Sequence, residues 1–599
     1  MFIRETINTL DASNGACSVA ENNIDLLGDG SDQFLNHCVA HFSDKNIDEK
    51  VFSQVELDDG VVKAGQSLLT IFDHDFLKEQ LPYIPFTLRR SMVRTHKKNK
   101  EQGYKFAKQQ LLEIIESVKK PRLIEALDID ARDDNIREHA KYLADKYRAI
   151  ACRPRLVKVA LFMAETMLGE PIFGDSTDSQ INRICDEKFW RKRTRKMLRV
   201  HREHCHLRIA PEKLRHCSPD ARREYKSMLD NHAKWAADHE FVNEAGEKIP
   251  APSPESTAKN RYAQLVAQTV GIGSIATEKK MTPKIITITL DSQYHSAMGT
   301  DRRVRNPKYK NISPKAGHAW LNKKWRNFRA VLKTKTRDID THWVVGVHAH
   351  KNMTPHWHFV LWTEPKNWTE VEKLIQKYFR TNDNPAQIQI ESPKNDGGAV
   401  AYCMKILQYI TRQVGTGDGE GEEDIAEAFD TSAWASTFGI RRYRTSDCAT
   451  TLWRLARKDD IEAPSEIKNS ATTGDYAGFL KSVKEYEATI IYVQKNNQYG
   501  DGYKAPKGIS FKDGVGIKSS VSLAKWKIQT ISKDENNTKD DTYSKTPRTS
   551  KAESTAKPKN QDSLWKKYHS LQNKLIESEE TEINGLADSV KNELRAVLG

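Results

Sequence analysis

The stretch VVGVHAHKNMTPHWHFVLW, residues 344–362, constrains the fold more than any other part of the chain. At its centre His356 and His358 flank Trp357. Successive strand residues point to opposite faces, so a strand puts both imidazoles on one side and the indole on the other. Val344, Val345 and Val347 before them, and Phe359, Val360, Leu361 and Trp362 after them, are strand-favouring residues. Lys351 to Pro355 lie between the two runs and read as a hairpin loop. Pairing His350 with His356 sets His348 against His358 and gathers four imidazoles on one face of a two-stranded ribbon. A packed core has no need of such a grouping. Neutral imidazole is the commonest metal ligand, so the ribbon reads as a divalent-metal site.

The neighbourhood supplies the rest of a sheet. PKIITITLDSQYH, entered at Thr282, alternates as a strand should. Trp320, Trp325, Phe328 and Val331 recur at helical spacing within 318–333, a further helix is expected around Val371 to Phe379, and IQIESP reads as another strand. GGAVAYCMKILQYITRQV follows as a helix. Interleaved helices and hairpin-linked strands predict an α+β fold, a central antiparallel sheet with flanking helices. The 599 residues are enough for several domains. The expected division is a region of unknown role at 1–80, a mostly helical basic region at 81–275, a catalytic domain at 280–460, a linker and disordered polar segment at 461–562, and a C-terminal helix at 563–599. The polar run after about 495 has few core-forming side chains, which is the ground for predicting a disordered tail.

The helix at 399–413 carries a candidate nucleophile. Tyr402, Lys405 and Tyr409 are spaced by three and seven residues and share one helix face at about 100° per residue. A phenol titrates near 10 and attacks poorly at neutral pH. Beside a cation that also polarises a phosphate, its anion becomes accessible. Lys405 would hold the phosphate or favour the phenolate.

In order along the chain, ITITL (286–290), TPHWHFVLW (354–362) and YCMK (402–405) resemble the three motifs of HUH endonucleases, the rolling-circle replication initiators. With the trailing AWASTFGIRRYR and LWRLARK, the pattern looks like the replication gene A protein family of temperate tailed phages. The resemblance covers about 280–458. It implies an HUH nuclease-like fold, with His356 and His358 holding magnesium or manganese. It implies that tyrosine attacks single-stranded origin DNA, forms a 5′-phosphotyrosyl bond and frees a 3′-OH. Two positions depart from the family. His348 stands where a glutamate ligand is usual, which makes a three-nitrogen site and shifts preference toward manganese or zinc; His350 is the alternative third ligand. Ile406 stands where a second tyrosine is usual, leaving Tyr409 as either a second nucleophile or a packing residue. A relaxase or transposase of the same chemistry, and a DNA-binding protein without cleavage, are the competing readings.

A net charge of +14 favours a polyanionic partner such as DNA. Arg441, Arg442 and Arg444 are expected to meet it, as is the run of arginines and lysines from Arg191 to Arg202. The Cys and His residues between Cys185 and Cys217 have no finger or ribbon spacing and are read as helix residues, not a zinc site. The eight cysteines show no disulfide framework, and no signal peptide or membrane span is legible, so a cytoplasmic location in a bacterial host is expected. No GxxxxGK[ST] loop occurs, which makes a host helicase the expected partner. The sequence does not specify an oligomeric state.

Overall fold

A computed structural model describes residues 71–531, apart from 212–213, 299–304, 382–383, 385–386, 394–397 and 412–421. The expectations for residues 1–70, for 532–562 and for the C-terminal helix at 563–599 lie outside the described residues. The chain divides into two compact units, Met1–Pro211 with Asn496–Gly502, and Glu212–Lys495 with Tyr503–Gly599. No described helix is long and apolar enough to cross a membrane.

The first unit is helical: α1 (Ile71–Gln80), α2 (Phe86–Asn99), α3 (Tyr104–Ser117), α4 (Asp133–Ala151), α5 (Val157–Leu168), α6 (Thr177–Ile184) and α7 (Glu187–Ile209). Ser176 and Asp186 cap α6 and α7 through their side chains, accepting from the backbone N–H of Ser179 and Lys188. Tyr147 of α4 stacks on Trp190 of α7 at 5.1 Å, and the indole N–H reaches the Ile184 carbonyl at 2.7 Å. The basic run on α7 is partly neutralised within the unit. Arg193 pairs with Glu170, Arg195 with Asp133, and Arg202 donates to the carbonyls of Ile129 and Ala131.

The second unit holds α8 (Pro219–Ala237), β1 (His239–Asn243), β2 (Lys248–Pro250), α9 (Pro254–Glu278), β3 (Thr282–Thr289), α10 (Pro314–Leu332), β4 (His342–Ala349), β5 (Pro355–Thr363), α11 (Trp368–Phe379), β6 (Ile388–Glu391), α12 (Gly398–Thr411), α13 (Glu422–Phe438), β7 (Tyr443–Thr445) and α14 (Thr450–Ala456). The expected antiparallel sheet is present, with order β6-β3-β5-β4-β7. Its two faces are covered differently. Trp343, Trp357 and Phe359 meet Trp325 of α10 at 5.1, 6.2 and 5.3 Å, and Phe328 of α10 meets Phe379 of α11 at 6.1 Å. On the other face, Val344, Val360 and Trp362 share a core with Leu265 and Val266 of α9 and with Cys403, Ile406 and Leu407 of α12. Here α12 comes close. A Cβ on Gly346 would lie 2.2 Å from Ile406 Cγ2.

Two expectations need correction. The mostly helical region at 81–275 was expected as one domain; helices continue to Glu278, but a compact boundary falls inside it, at Pro211. Helices α8 and α9 belong to the sheet-bearing unit, because the apolar stripe of α9 is buried under the sheet. NEAGEKIP (243–250) forms the turn and second strand of the β1–β2 hairpin. Residues 461–531, expected as linker and disordered chain, form α15 (Ser465–Thr473), α16 (Tyr476–Glu485), β8 (Thr489–Asn496), β9 (Gly502–Asp513), β10 (Gly516–Val521) and β11 (Trp526–Thr530). Their apolar residues are few but converge. Ile467, Tyr476, Phe479, Ile509 and Phe511 complete a core begun by Leu452 and Trp453. β11 pairs antiparallel with β1, residues far apart in the sequence.

Candidate active site

The hairpin register differs from the expected one by two residues. His348 pairs with His356 and Gly346 with His358, while Ala349 opposes Pro355. The turn closes early because Met353 takes a left-handed conformation (φ +67°) and donates its N–H to the His350 carbonyl at 2.8 Å. His350 N–H in turn donates to Thr354 at 2.8 Å. A shift of two preserves the face, so the four imidazoles still gather. Ring centroids lie 4.6 Å apart for His356 and His358, 5.2 Å for His348 and His358, 5.9 Å for His348 and His356, and 4.1 Å for the stacked His350 and His356.

Burial keeps these rings neutral. It lowers His358 to about 4 and His350 to about 3, the latter helped by neighbouring histidines, and it holds His348 and His356 well below the usual range. Neutral imidazole is the ligand form. His350 Nε2 and His356 Nδ1 are buried without a hydrogen-bond partner, a cost that a bound cation would remove. The donors therefore suit a divalent cation in kind. As placed, no group of three or more His, Cys, Asp or Glu side chains among the described residues has its donors arranged to hold one.

Tyr402 extends from α12 toward the ribbon. Its hydroxyl lies 2.9 Å from His358 Nδ1, and Thr287 Oγ1 lies 3.1 Å from the same nitrogen. Thr287 stands opposite His358 in the β3–β5 register, which places it on the histidine face. Burial raises the phenol above its ordinary value, Thr287 draws it back, and Cys403 and Glu391 add to the rise. In these surroundings the tyrosine is held as a neutral phenol. Lys405, one turn on, is exposed. Tyr409 lies on α12, but its side chain is outside the described residues.

The turn that carries His350 is pinned from several sides. His216 (φ +72°) donates its backbone N–H to the Lys351 carbonyl at 3.2 Å. Its Nδ1 lies 2.8 Å from the Ala349 carbonyl oxygen, and its Nε2 lies 3.2 Å from Glu427 Oε1 on α13. The indole of Trp434, also on α13, donates to the Met353 carbonyl at 3.0 Å. His295 bonds Asn352 at 3.2 Å and packs at 5.2 Å from His350. Sequence reading missed His216, Glu427, His295 and Thr287 as parts of the site. Only Thr287 had a usable signal, its parity in the ITITL strand.

The three arginines expected at DNA separate. Arg442 is a correction: it is buried, and donates to Ile410 O, to Ser432 Oγ at 2.7 Å and to Thr431 Oγ1 at 3.1 Å. It ties α12 to α13 inside the fold. Arg444 opposes Val345 and so lies on the tryptophan face, 4.6 Å over the Trp357 ring. Arg441 alone is exposed. The Cys and His residues of the former zinc candidate are also divided, with Cys185 to His206 in the helical unit and His216 and Cys217 in the other.

The sheet and its layers define an α+β protein with a half-buried histidine cluster on one sheet face and a helix-borne tyrosine against it. The profile of the bacteriophage replication gene A protein family matches residues 108–414, just over half of the chain, and the chain belongs to that family. It is 25% identical to the "Probable replication protein P12" of Pseudoalteromonas phage PM2, over 52% of this chain and 52% of that protein. It is 25% identical to the replication protein of Haemophilus phage HP1, over 61% of this chain and 50% of the relative. Identity to the replication gene A protein of Escherichia phage 186 is 23%, over 59% and 56%. The chain spans about half the length of these relatives. No solved structure matches it.

Proposed function

We propose that this protein is a site-specific endonuclease of the HUH type that nicks single-stranded origin DNA to start rolling-circle replication of phage DNA. The observation that carries the reading is the Tyr402 hydroxyl 2.9 Å from His358, at the edge of four half-buried, neutral imidazoles. Tyr402 Oη forms a bond to phosphorus while the bond from phosphorus to O3′ breaks. The phenolic proton given up is matched by the one that O3′ takes up. The products are a 5′-phosphotyrosyl link and a free 3′-OH that can prime synthesis, and the conserved phosphodiester energy allows later rejoining. His356 and His358, with His348 or His350 third, would hold a divalent cation. Such a cation supplies Lewis-acid stabilisation of the phosphoryl charge. Thr287 orients His358, and the cover of α12 excludes water from the ribbon. Magnesium or manganese suits the family chemistry, and zinc becomes competitive for a three-nitrogen set. Strand separation would come from a host helicase in the bacterial cytoplasm.

The test uses a labelled single-stranded origin oligonucleotide with manganese. Wild-type chain should form an adduct that survives denaturation, and Tyr402→Phe should form none. Tyr409→Phe reports whether a second tyrosine takes part. Tight binding with no adduct from any origin sequence would sink the nuclease reading and leave a DNA-binding replication protein.

A further inference from the structure

The helix on the opposite face of the sheet, α10, carries a charge pattern that the nicking site does not use. Its nineteen residues include no aspartate or glutamate. Leu321, Trp325, Phe328 and Leu332 face the sheet, while Lys315, Lys323, Arg326 and Arg329 are exposed. At about 100° and 1.5 Å per residue, these four cations fall in one sector of about 120° along roughly 21 Å of axis. Solvated helix faces ordinarily mix both signs. Here no carboxylate pairs with any of the four among the described residues, and Arg329 lies 5.2 Å over the Trp343 ring. Arg444 flanks the stripe. It donates to Asn322 Oδ1 of α10 at 2.6 Å, yet its Nε and Nη2 are buried with no hydrogen-bond partner. Burial, then Arg329 and Arg441, lower it to about 10, as expected for guanidiniums crowded together without a counter-charge.

We propose that the outer face of α10, with Arg444 at its flank, is a docking surface for the phosphate backbone of double-stranded DNA. This is a second DNA contact, on the sheet face away from Tyr402, and it rests on the reading that the protein acts on DNA. Charge complementarity names a polyanion. The absence of any large exposed hydrophobic side chain on α10 selects the duplex, because single strands are held by bases stacked on aromatic rings. Contacts of this kind position a protein without reading sequence.

The experiment measures binding of the full chain to a fluorescent duplex of arbitrary sequence across a salt series, beside a single strand of equal length. In Lys315→Ala/Lys323→Ala/Arg326→Ala, the slope of log affinity against log salt should become shallower by about 2 to 3 for the duplex. Lys323→Glu/Arg326→Glu should weaken the duplex at least as much, and both variants should keep the wild-type circular dichroism. Neutralising Lys481, Lys484 and Lys512 instead is the control and should leave the slope alone. An unchanged slope in both α10 variants, an equal effect from the control, or an equal loss for the single strand would overturn the proposal. The adduct assay with Tyr402→Phe is read separately. No adduct from wild type, with the duplex effect intact, removes the nicking reading and leaves this surface standing.

Discussion

Gly346 is glycine because Ile406 stands where its side chain would be. The 2.2 Å approach of Ile406 Cγ2 leaves no room for a Cβ, and Ile406 cannot retreat without moving α12. That helix also carries Tyr402, so one methyl group on β4 is coupled to the position of the proposed nucleophile. Gly346→Ala should lower stability by about 1–3 kcal/mol, the usual cost of overpacking, and slow adduct formation. Ile406→Leu removes the offending methyl, so the double variant should recover part of both losses. Urea melts and adduct time courses check this; additive losses in the double variant would show that the two positions do not meet. Arg442 teaches the opposite lesson about reading residues. In IRRYR the arginines look equivalent, yet strand and loop geometry sends Arg441 to water, Arg442 to the interior and Arg444 to the tryptophan face. Charge is legible in a sequence, but the direction of a side chain at the edge of a short strand is not.

The histidine ribbon behaves as a unit when protons are counted. His348, His350, His356 and His358 are neutral when folded, while in the unfolded chain they titrate near 6.5. Each folded value is depressed, so the unfolded state binds more protons below that point. Stability is therefore complete above about pH 7, falls as the pH drops through 6.5, and continues falling toward 4, where His358 itself titrates. Each ring costs the fold on the order of 1 kcal/mol between pH 7 and 5.5. The melting temperature should drop by several degrees over that interval, and a flat profile would mean that the rings are wetter than the structure places them. The presence of the ribbon was legible because two-residue periodicity needs only local information. Its register was not, because the turn depends on a left-handed Met353 that no glycine or asparagine announces.

At the scale of the molecule, the sequence hid the pairings that join distant segments. Nothing in WKIQT names HEFVN as its partner some 290 residues earlier, yet β11 and β1 lie side by side. The polar stretch after 461 looked uncommitted because β8, β10 and β11 bury no residue fully, β9 reaches the core only through Ile509 and Phe511, and the rest of that core comes from Trp453 and from α9. A Cβ on Gly271 of α9 would come within 2.7 Å of the Tyr476 Cβ, and the Tyr476 hydroxyl bonds the Asp447 carbonyl at 2.8 Å. A chain ending after Asp460 should therefore lose soluble yield and melt several degrees lower, although every residue of the candidate site is still present. A wild-type melting curve for that fragment would contradict this packing account.

The turn at 350–353 has one more consequence. Because strand faces alternate, the hairpin can gain or lose residues in pairs and keep its imidazoles together. A slip of β5 by one residue against the sheet would turn its histidines into the tryptophan layer and present Trp357 to Tyr402. Register shifts of the two strands are thus filtered by parity, whereas a residue added inside the turn itself leaves the pairing and both faces intact.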